Sequence, residues 1–348
     1  MSDSPLGFAI VGPGMVAGIH ARALARIPGA RLVGIVSRNP ERGAAFAAEH
    51  GIPAVTATVE EMVARPDVDA VVITTPSGAH LEPALAAVRA GKHIVIEKPI
   101  EITTARADRI IQAADAAGVK VAAIFQARFG DGARAVRAAL DAGRFGRLVL
   151  CSAYIKWHRP AAYYDSPWKG TLALDGGGAL INQGIHGVDL LQWFAGLPDR
   201  VSAWSTRRVH QQIEAEDTVV AALRFASGAL GTIEASTAVW PGWSRRIEIC
   251  GEYGSVCLED DAIVQWEFAR EAPEDEKIRR ARENALGSGA GDPGAISILG
   301  HQRQLEDFVA AIREGRAPVI DAREARRAVA LVNAVYESAR RGSPVDLA

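Results

Sequence analysis

Lys98 is the residue in this sequence with the clearest chemical potential. It ends the run Lys92-His93-Ile94-Val95-Ile96-Glu97-Lys98-Pro99, in which apolar and β-branched positions give way to a charged pair and a proline. Open parallel sheets bind ligands outside the carboxyl ends of their strands. An ammonium there stands where a substrate hydroxyl would meet a cofactor, and it can donate a hydrogen bond to developing alkoxide charge or relay a proton. The alternative is a solvated surface lysine, the usual role of this residue type. A glycine turn at residues 12–14 offers a seat for a dinucleotide, and His186 offers an imidazole for proton transfer. Together the three features point to hydride transfer.

The turn reads Val11-Gly12-Pro13-Gly14-Met15-Val16-Ala17. Gly12 and Gly14 allow a tight bend and a close backbone approach to a pyrophosphate, and Ala17 fills the third small position, where helix packs on strand. Pro13, Met15 and Val16 then border the anion site at the helix N-terminus. An ordinary glycine turn is the competing reading. The second strand ends in Ser37-Arg38, with no acid to receive an unmodified ribose. Arg38 can stack on adenine and pair with a 2′-phosphate, which tilts the cofactor toward NADP and leaves NAD open. Otherwise Arg38 and Arg42 are solvated charges. Thr74, Thr75 and Pro76 follow the fourth strand and face the same crevice, with His80 beside the cofactor and Ser77 as a helix N-cap.

Asn182, His186 and Asp189 are spaced by four and three residues, which puts them on one helical face bordered by Ile181, Ile185, Val188, Leu191 and Phe194. Buried polar groups need partners, so a hydrogen-bonded core histidine competes with a catalytic one. Asp189 either orients His186 or anchors the helix. Asp175 precedes three glycines that let a ligand approach the backbone; it either accepts sugar hydroxyls or caps a turn. Trp157, Tyr163, Tyr164, Trp168 and Lys169 cluster upstream, where aromatic faces suit sugar C–H faces and equally suit an interface core. Gln126 and Arg128 open the second domain near the crevice. The histidines are scattered without metal-ligand spacing, so no metal is expected.

The elements that must position these groups divide the 348 residues in two. Residues 1–125 alternate strand-like and helix-like segments, with strands at 7–11, 31–37, 70–74, 93–96 and 120–125, a weaker one near 54–55, and helices at 16–27, 40–50, 79–90 and 103–117. Residues 126–348 carry a helix at 132–142, a helix at 179–195, seven alternating strand-like runs between 147 and 266, and closing helices at 300–314 and 322–340; 271–297 reads as a loop. The expected class is α/β: an N-terminal Rossmann domain, then an α/β domain with a large, open, mostly antiparallel sheet. A net charge of −2 gives no case for nucleic acid or an anionic membrane, and no apolar run is long enough to cross a bilayer. The polar start lacks a secretory signal, and three cysteines without metal spacing read as reduced, which fits a cytoplasm.

This ordered set of motifs resembles the Gfo/Idh/MocA oxidoreductases. The resemblance rests on the glycine turn with Ala17 and His20, Thr75-Pro76 with His80, Glu97-Lys98-Pro99, Asn182-Gln183-Gly184-Ile185-His186 with Asp189, and the closing His301, Asp307-Phe308 and Pro318. It implies NAD(P), usually a sugar or cyclitol substrate, Lys98 and His186 as active-site residues, Glu97 beside the cofactor, and a cis Lys98–Pro99 bond. Asn182 and, more weakly, His301 join the site by the same implication. Many members carry aspartate where Asn182 stands, so Asn182 here is expected to bind substrate while Lys98 and His186 share the proton. Dimers or tetramers built through the large sheet are also implied. The leading expectation is interconversion of a secondary alcohol and ketone on a sugar, sugar derivative or cyclitol. A glycosidase using transient oxidation by bound NAD and a non-catalytic nucleotide sensor are the rivals.

Overall fold

A computed structural model describes residues 4–281, 286–287 and 297–347. The chain forms two compact units, Met1–Gln126 with Ile298–Arg326, and Ala127–Ser297 with Arg327–Ala348. A single cut after residue 125 therefore misses the late return of Ile298–Arg326 to the first unit. That return is stabilised by Leu305, Phe308 and Val309, which are buried in one core with Phe8, Ile10 and Leu24.

The first unit runs β1 (Leu6–Val11), α1 (Met15–Leu24), β2 (Ala30–Val36), α2 (Pro40–His50), β3 (Val55–Thr56), α3 (Val59–Val63), β4 (Ala70–Ile73), α4 (Leu81–Arg89), β5 (His93–Ile96), α5 (Thr104–Ala117) and β6 (Val121–Ala123). Its strands pair in parallel in the order β3-β2-β1-β4-β5-β6. The order reverses beside β1, so a crevice opens at the carboxyl ends of β1 and β4. β4 is buried at every position, as a strand covered on both faces must be. Asn39 caps α2 and Thr103 caps α5, and Gly51 and Gly118 end those helices in the left-handed conformation. Ser77 does not cap α4. Glu101, fully buried, accepts the Leu81 N–H instead and is neutralised by Arg106.

The second unit contains α6 (Asp131–Asp141), β7 (Leu148–Lys156), a π-helical stretch at Ala179–Gly184, α7 (Ile185–Ala195), β8 (Pro198–Thr206), β9 (Thr218–Phe225), β10 (Leu230–Ser236), β11 (Arg246–Gly251), β12 (Gly254–Glu259), β13 (Ala262–Phe268) and α8 (Asp275–Arg280). Then come α9 (Leu299–Glu314) in the first unit, α10 (Ala322–Arg341), within which the division falls, and β14 (Val345–Asp346). The sheet order is β13-β12-β11-β7-β10-β9-β8-β14, antiparallel except for the β7–β10 pair. β9 alternates buried and open positions, the pattern of a sheet with one face on a core and one face uncovered. α8 falls inside 271–297, which the sequence presents as loop. Buried Asp275 holds it, pairing with Arg144 and accepting the Trp266 indole N–H. The rest of that expected loop lies largely outside the described residues. Among the described residues, no helix is long and apolar enough to cross a membrane.

Asp189, fully buried on α7, accepts two hydrogen bonds from the equally buried Arg128, at 2.6 and 2.7 Å, and Arg128 also lies over the Trp193 ring. Removing one charge of such a pair strands the other in a low-dielectric interior. Asp189→Asn should cost about 3 kcal/mol and lower the thermal or urea unfolding midpoint; an unchanged midpoint would show that this pair does not anchor α7.

Candidate functional site

The glycine turn has the geometry expected of an anion cradle. Gly12 has φ of +100°, a conformation that disfavours any side chain, and nothing lies within 4 Å of where a Gly14 Cβ would be. Gly14 stands at the N-terminus of α1 without a side-chain cap, so the first N–H groups of that helix remain available to an anion. Ala17 is fully buried against the sheet. Pro13 and Val16 are half-buried and Met15 exposed at the mouth of the turn. The residues present fit a dinucleotide pyrophosphate.

Other expected cofactor residues divide into two groups. Arg38 is exposed at the end of β2, open to a ribose or its phosphate. Arg42 is not simply solvated, because it donates to the Pro13 carbonyl at 3.3 Å and so braces the turn. Thr75 and Pro76 are half-buried at the end of β4. Thr74 donates its hydroxyl to Gly12 O at 2.7 Å, Thr75 to Ala79 O at 3.0 Å and Ser37 to Asn39 O at 2.7 Å, so all three side chains fasten the loops. His80 is buried with one ring nitrogen 2.9 Å from Pro99 O and the other 2.9 Å from Thr75 O. It ties the β4 and β5 loops together, and burial lowers its pKa.

Glu97 is likewise held by protein partners. Its carboxylate turns inward, where His20 Nε2 lies 2.7 Å and His301 Nε2 3.7 Å from one oxygen, while the other accepts the Lys98 backbone N–H at 3.2 Å. Burial alone would raise the Glu97 pKa, but the hydrogen bond with His20 and the nearby His301 ring outweigh it and hold the group well below the usual carboxylate range. Burial lowers the His301 pKa. The fold thus gathers two histidines that look scattered in sequence. Their donor atoms and a Glu97 oxygen lie within 4.8 Å of one another. The 2.7 Å His20–Glu97 contact has hydrogen-bond length, shorter than the roughly 3.3 Å between two ligands on a tetrahedral zinc ion. The cluster is read as a hydrogen-bonded support for Lys98. Lys98 follows it, half-buried at the end of β5, with the expected cis bond to Pro99.

In the second unit His186 is buried in the first turn of α7. Asn182 lies in the π-helical stretch before it, so the α-helical spacing of four does not apply across the junction. Asn182 donates to Asp175 and accepts from Gln183, which also donates to the Tyr163 hydroxyl at 2.7 Å and accepts from Arg159 at 2.9 Å. Asp175 further accepts the Gly170 N–H at 2.8 Å and is almost wholly buried, which favours its turn-holding role. Trp157 and Tyr164 are also buried, with the Tyr164 hydroxyl donating to Thr237 at 2.9 Å; both behave as core. Trp168 is half-exposed. Arg128 pairs with Asp189, which favours the anchoring reading of Asp189. The sequence singles out neither Glu101 nor Glu216, and it presents Arg42 only as a solvated charge. Glu216 accepts the N–H groups of Gly178 and Leu180 and the Tyr336 hydroxyl, each at 2.9 Å, and so fixes the start of the π-helical stretch.

Residues 6–125 match the oxidoreductase family with an NAD-binding Rossmann fold, and residues 133–257 match the GFO/IDH/MocA C-terminal domain. The WlbA dehydrogenase from Bordetella pertussis, solved in complex with NADH and UDP-GlcNAcA, is 34% identical, with a TM-score of 0.91 over 100% of this chain and 99% of that one. A 1,5-anhydro-D-fructose reductase of Ensifer adhaerens is 34% identical over 59% of this chain, a match spanning only 61% of that protein. An inositol 2-dehydrogenase of Rhizobium meliloti is 27% identical over 98% of this chain and 99% of its own length. With both domains matched and a full-length structural relative above 30% identity, the chain belongs to the Gfo/Idh/MocA family of NAD-binding oxidoreductases.

Proposed function

We propose that this chain interconverts a secondary alcohol and a ketone on a sugar, sugar derivative or cyclitol, with Lys98 and His186 managing the proton. The observation that carries the reading is Lys98 at the end of β5, its backbone held by a buried carboxylate, in a unit whose glycine turn fits a pyrophosphate. The bound nicotinamide supplies the hydride acceptor or donor. Gly12, Gly14 and the N-terminus of α1 hold its pyrophosphate, with Thr75 and Pro76 toward the nicotinamide ribose. The Lys98 ammonium donates to the substrate oxygen and stabilises alkoxide charge as it develops. His186 accepts the hydroxyl proton during oxidation and returns it during reduction. Asn182, joined to Asp175 and Gln183, presents amide groups to substrate hydroxyls.

Arg38 supports NADP ahead of NAD, since an exposed guanidinium with no carboxylate beside it on Ser37 or Asn39 suits a 2′-phosphate. The NADH bound to the Bordetella relative supports NAD, so both are to be measured. A homodimer or homotetramer through the large sheet is supported by its uncovered face. There Leu150, Leu230, Val220 and Trp204 stand exposed on neighbouring strands, Trp204 by 67% and Leu230 by 56%. Three free cysteines support work in a reducing compartment such as the cytoplasm.

With NAD or NADP and a panel containing UDP-GlcNAcA, myo-inositol and 1,5-anhydro-D-fructose, the purified protein should change absorbance in the reduced-nicotinamide band. Lys98→Met should lower kcat by about 10²–10⁴-fold while cofactor affinity is retained; full turnover by that variant would defeat the assignment. Net hydrolysis of a glycoside without net cofactor change would move the reaction to transient oxidation. Arg38→Asp should raise the NADP KM at least about tenfold relative to that for NAD, through loss of a charge-assisted contact; equal shifts would remove Arg38 from cofactor selection. Light scattering should find an oligomer that Trp204→Glu dissociates, and a wild-type monomer would refute the sheet interface.

A further inference from the structure

The close approach that Gly177 and Gly178 allow is taken up by the protein itself. A Cβ at Gly177 would overlap the Tyr336 hydroxyl, and one at Gly178 would overlap the Glu216 carbonyl oxygen. Both groups come to meet the start of the π-helical stretch. Glu216 Oε2 accepts the Gly178 N–H and Oε1 the Leu180 N–H, each at 2.9 Å, and the Glu216 backbone carbonyl accepts the Ala179 N–H at 3.1 Å. The Tyr336 hydroxyl accepts the Ile181 N–H at 3.2 Å and donates to Glu216 Oε1 at 2.9 Å. The first bond inside the stretch follows at once, from the Asn182 N–H to Gly178 O at 3.2 Å. A helix start normally leaves its first N–H groups to solvent, a cap or a ligand. Here the N–H groups from Gly178 to Ile181 are all met by two residues of the same unit, one just ahead of β9 and the other on α10.

We propose that Tyr336 and Glu216 are positioning residues for His186 and Asn182: as a clamp they fix where the π-helical stretch begins, and through it the direction of both side chains. The inference deepens the dehydrogenase reading and rests on it for the roles of His186 and Asn182. The far end of the stretch is seated independently. Gly187, next after His186, lies so close to β7 that a Cβ there would come within 2.7 Å of the Ile155 side chain. With that end fixed by packing, the start decides how the intervening backbone is wound. A π-helical turn departs from the regular i→i−4 ladder and needs support from outside it. The clamp supplies that support through groups that answer one another. Burial and the adjoining carboxylate hold the Tyr336 hydroxyl well above its ordinary pKa, so it keeps its proton and donates to Glu216 while accepting from Ile181. Neither residue is placed against substrate or cofactor, so their effect on the chemistry runs through the backbone they hold.

Two readouts on the full chain test the clamp, one of them independent of turnover. Ring resonances of the histidine-labelled protein are recorded by NMR, with His186 identified by the signal that His186→Gln removes. Tyr336→Phe deletes one hydroxyl and keeps the ring. It should displace the His186 signal and leave those of His20 and His301 in place. Ile263→Val, a buried change on β13 chosen for a comparable loss of stability, should move none of the three. On the sugar that the wild type oxidises fastest, Tyr336→Phe should lower kcat about ten- to a hundredfold, as expected of a small misplacement of reacting groups, with the dinucleotide KM unchanged; Ile263→Val should keep wild-type kcat. An unmoved His186 signal in Tyr336→Phe overturns the clamp, and so does wild-type kcat in that variant. An equal loss of kcat in Ile263→Val also overturns it, by reducing the effect to general stability. If Tyr336→Phe does not fold, Glu216→Gln, which loses one of two carboxylate acceptors, is judged by the same outcomes. Absence of turnover on every sugar removes the dehydrogenase reading, and the His186 signal then decides the clamp alone.

Discussion

A buried carboxylate governs the first unit. Ionised Glu97 in a dry interior would be untenable alone, since desolvation disfavours the charged form. Its oxygens are met by an imidazole from α1, an imidazole from α9 and the backbone N–H of Lys98. One charge therefore ties together the first helix after the glycine turn, the end of β5 and a helix that arrives some two hundred residues later. The T-shaped packing of His20 against His301, with centroids 5.2 Å apart, closes the arrangement. His80, bridging Thr75 O and Pro99 O, locks the neighbouring loops. The Lys98 backbone is fastened to this support, and preorganisation of that kind is what the role proposed for its ammonium requires.

The second unit solves a similar problem with different carboxylates. Asp189 is neutralised by Arg128 at the middle of α7, and Glu216 collects backbone N–H groups where the π-helical stretch begins. Burial raises the Glu216 pKa despite those donors, and the adjoining Tyr336 hydroxyl is pushed well above its ordinary value. His186 follows directly on a segment whose wider turn is pinned at its start. π-Helical turns interrupt the regular ladder and recur at functional sites because they re-aim side chains.

Local rules made the first unit readable. Alternating apolar strands and alanine-rich helices declare a parallel sheet, and Gly12, Gly51 and Gly118 occupy backbone conformations that other residues resist. The place of Lys98 directly after β5 was legible from the apolar run that ends at Ile96. Pairings across long stretches of sequence were not legible. Nothing local announces that Arg128 reaches Asp189, that His301 joins His20, or that residues 298–326 return to the first unit. The spacing of Asn182 and His186 suggests a shared α-helical face, but a single π-turn changes the angle between them while leaving the apolar pattern intact. Ser77 has the composition of a cap, and Glu101, twenty residues beyond Leu81, takes that role.

The central claim is that the Glu97 carboxylate holds Lys98 in its working position. Steady-state turnover and cofactor affinity of Glu97→Gln, measured on the same folded preparation, test it most directly. The account predicts kcat reduced by about a hundredfold, comparable to losing one preorganised electrostatic contact, with the dissociation constant of the dinucleotide little changed. Wild-type kcat in that variant would contradict it.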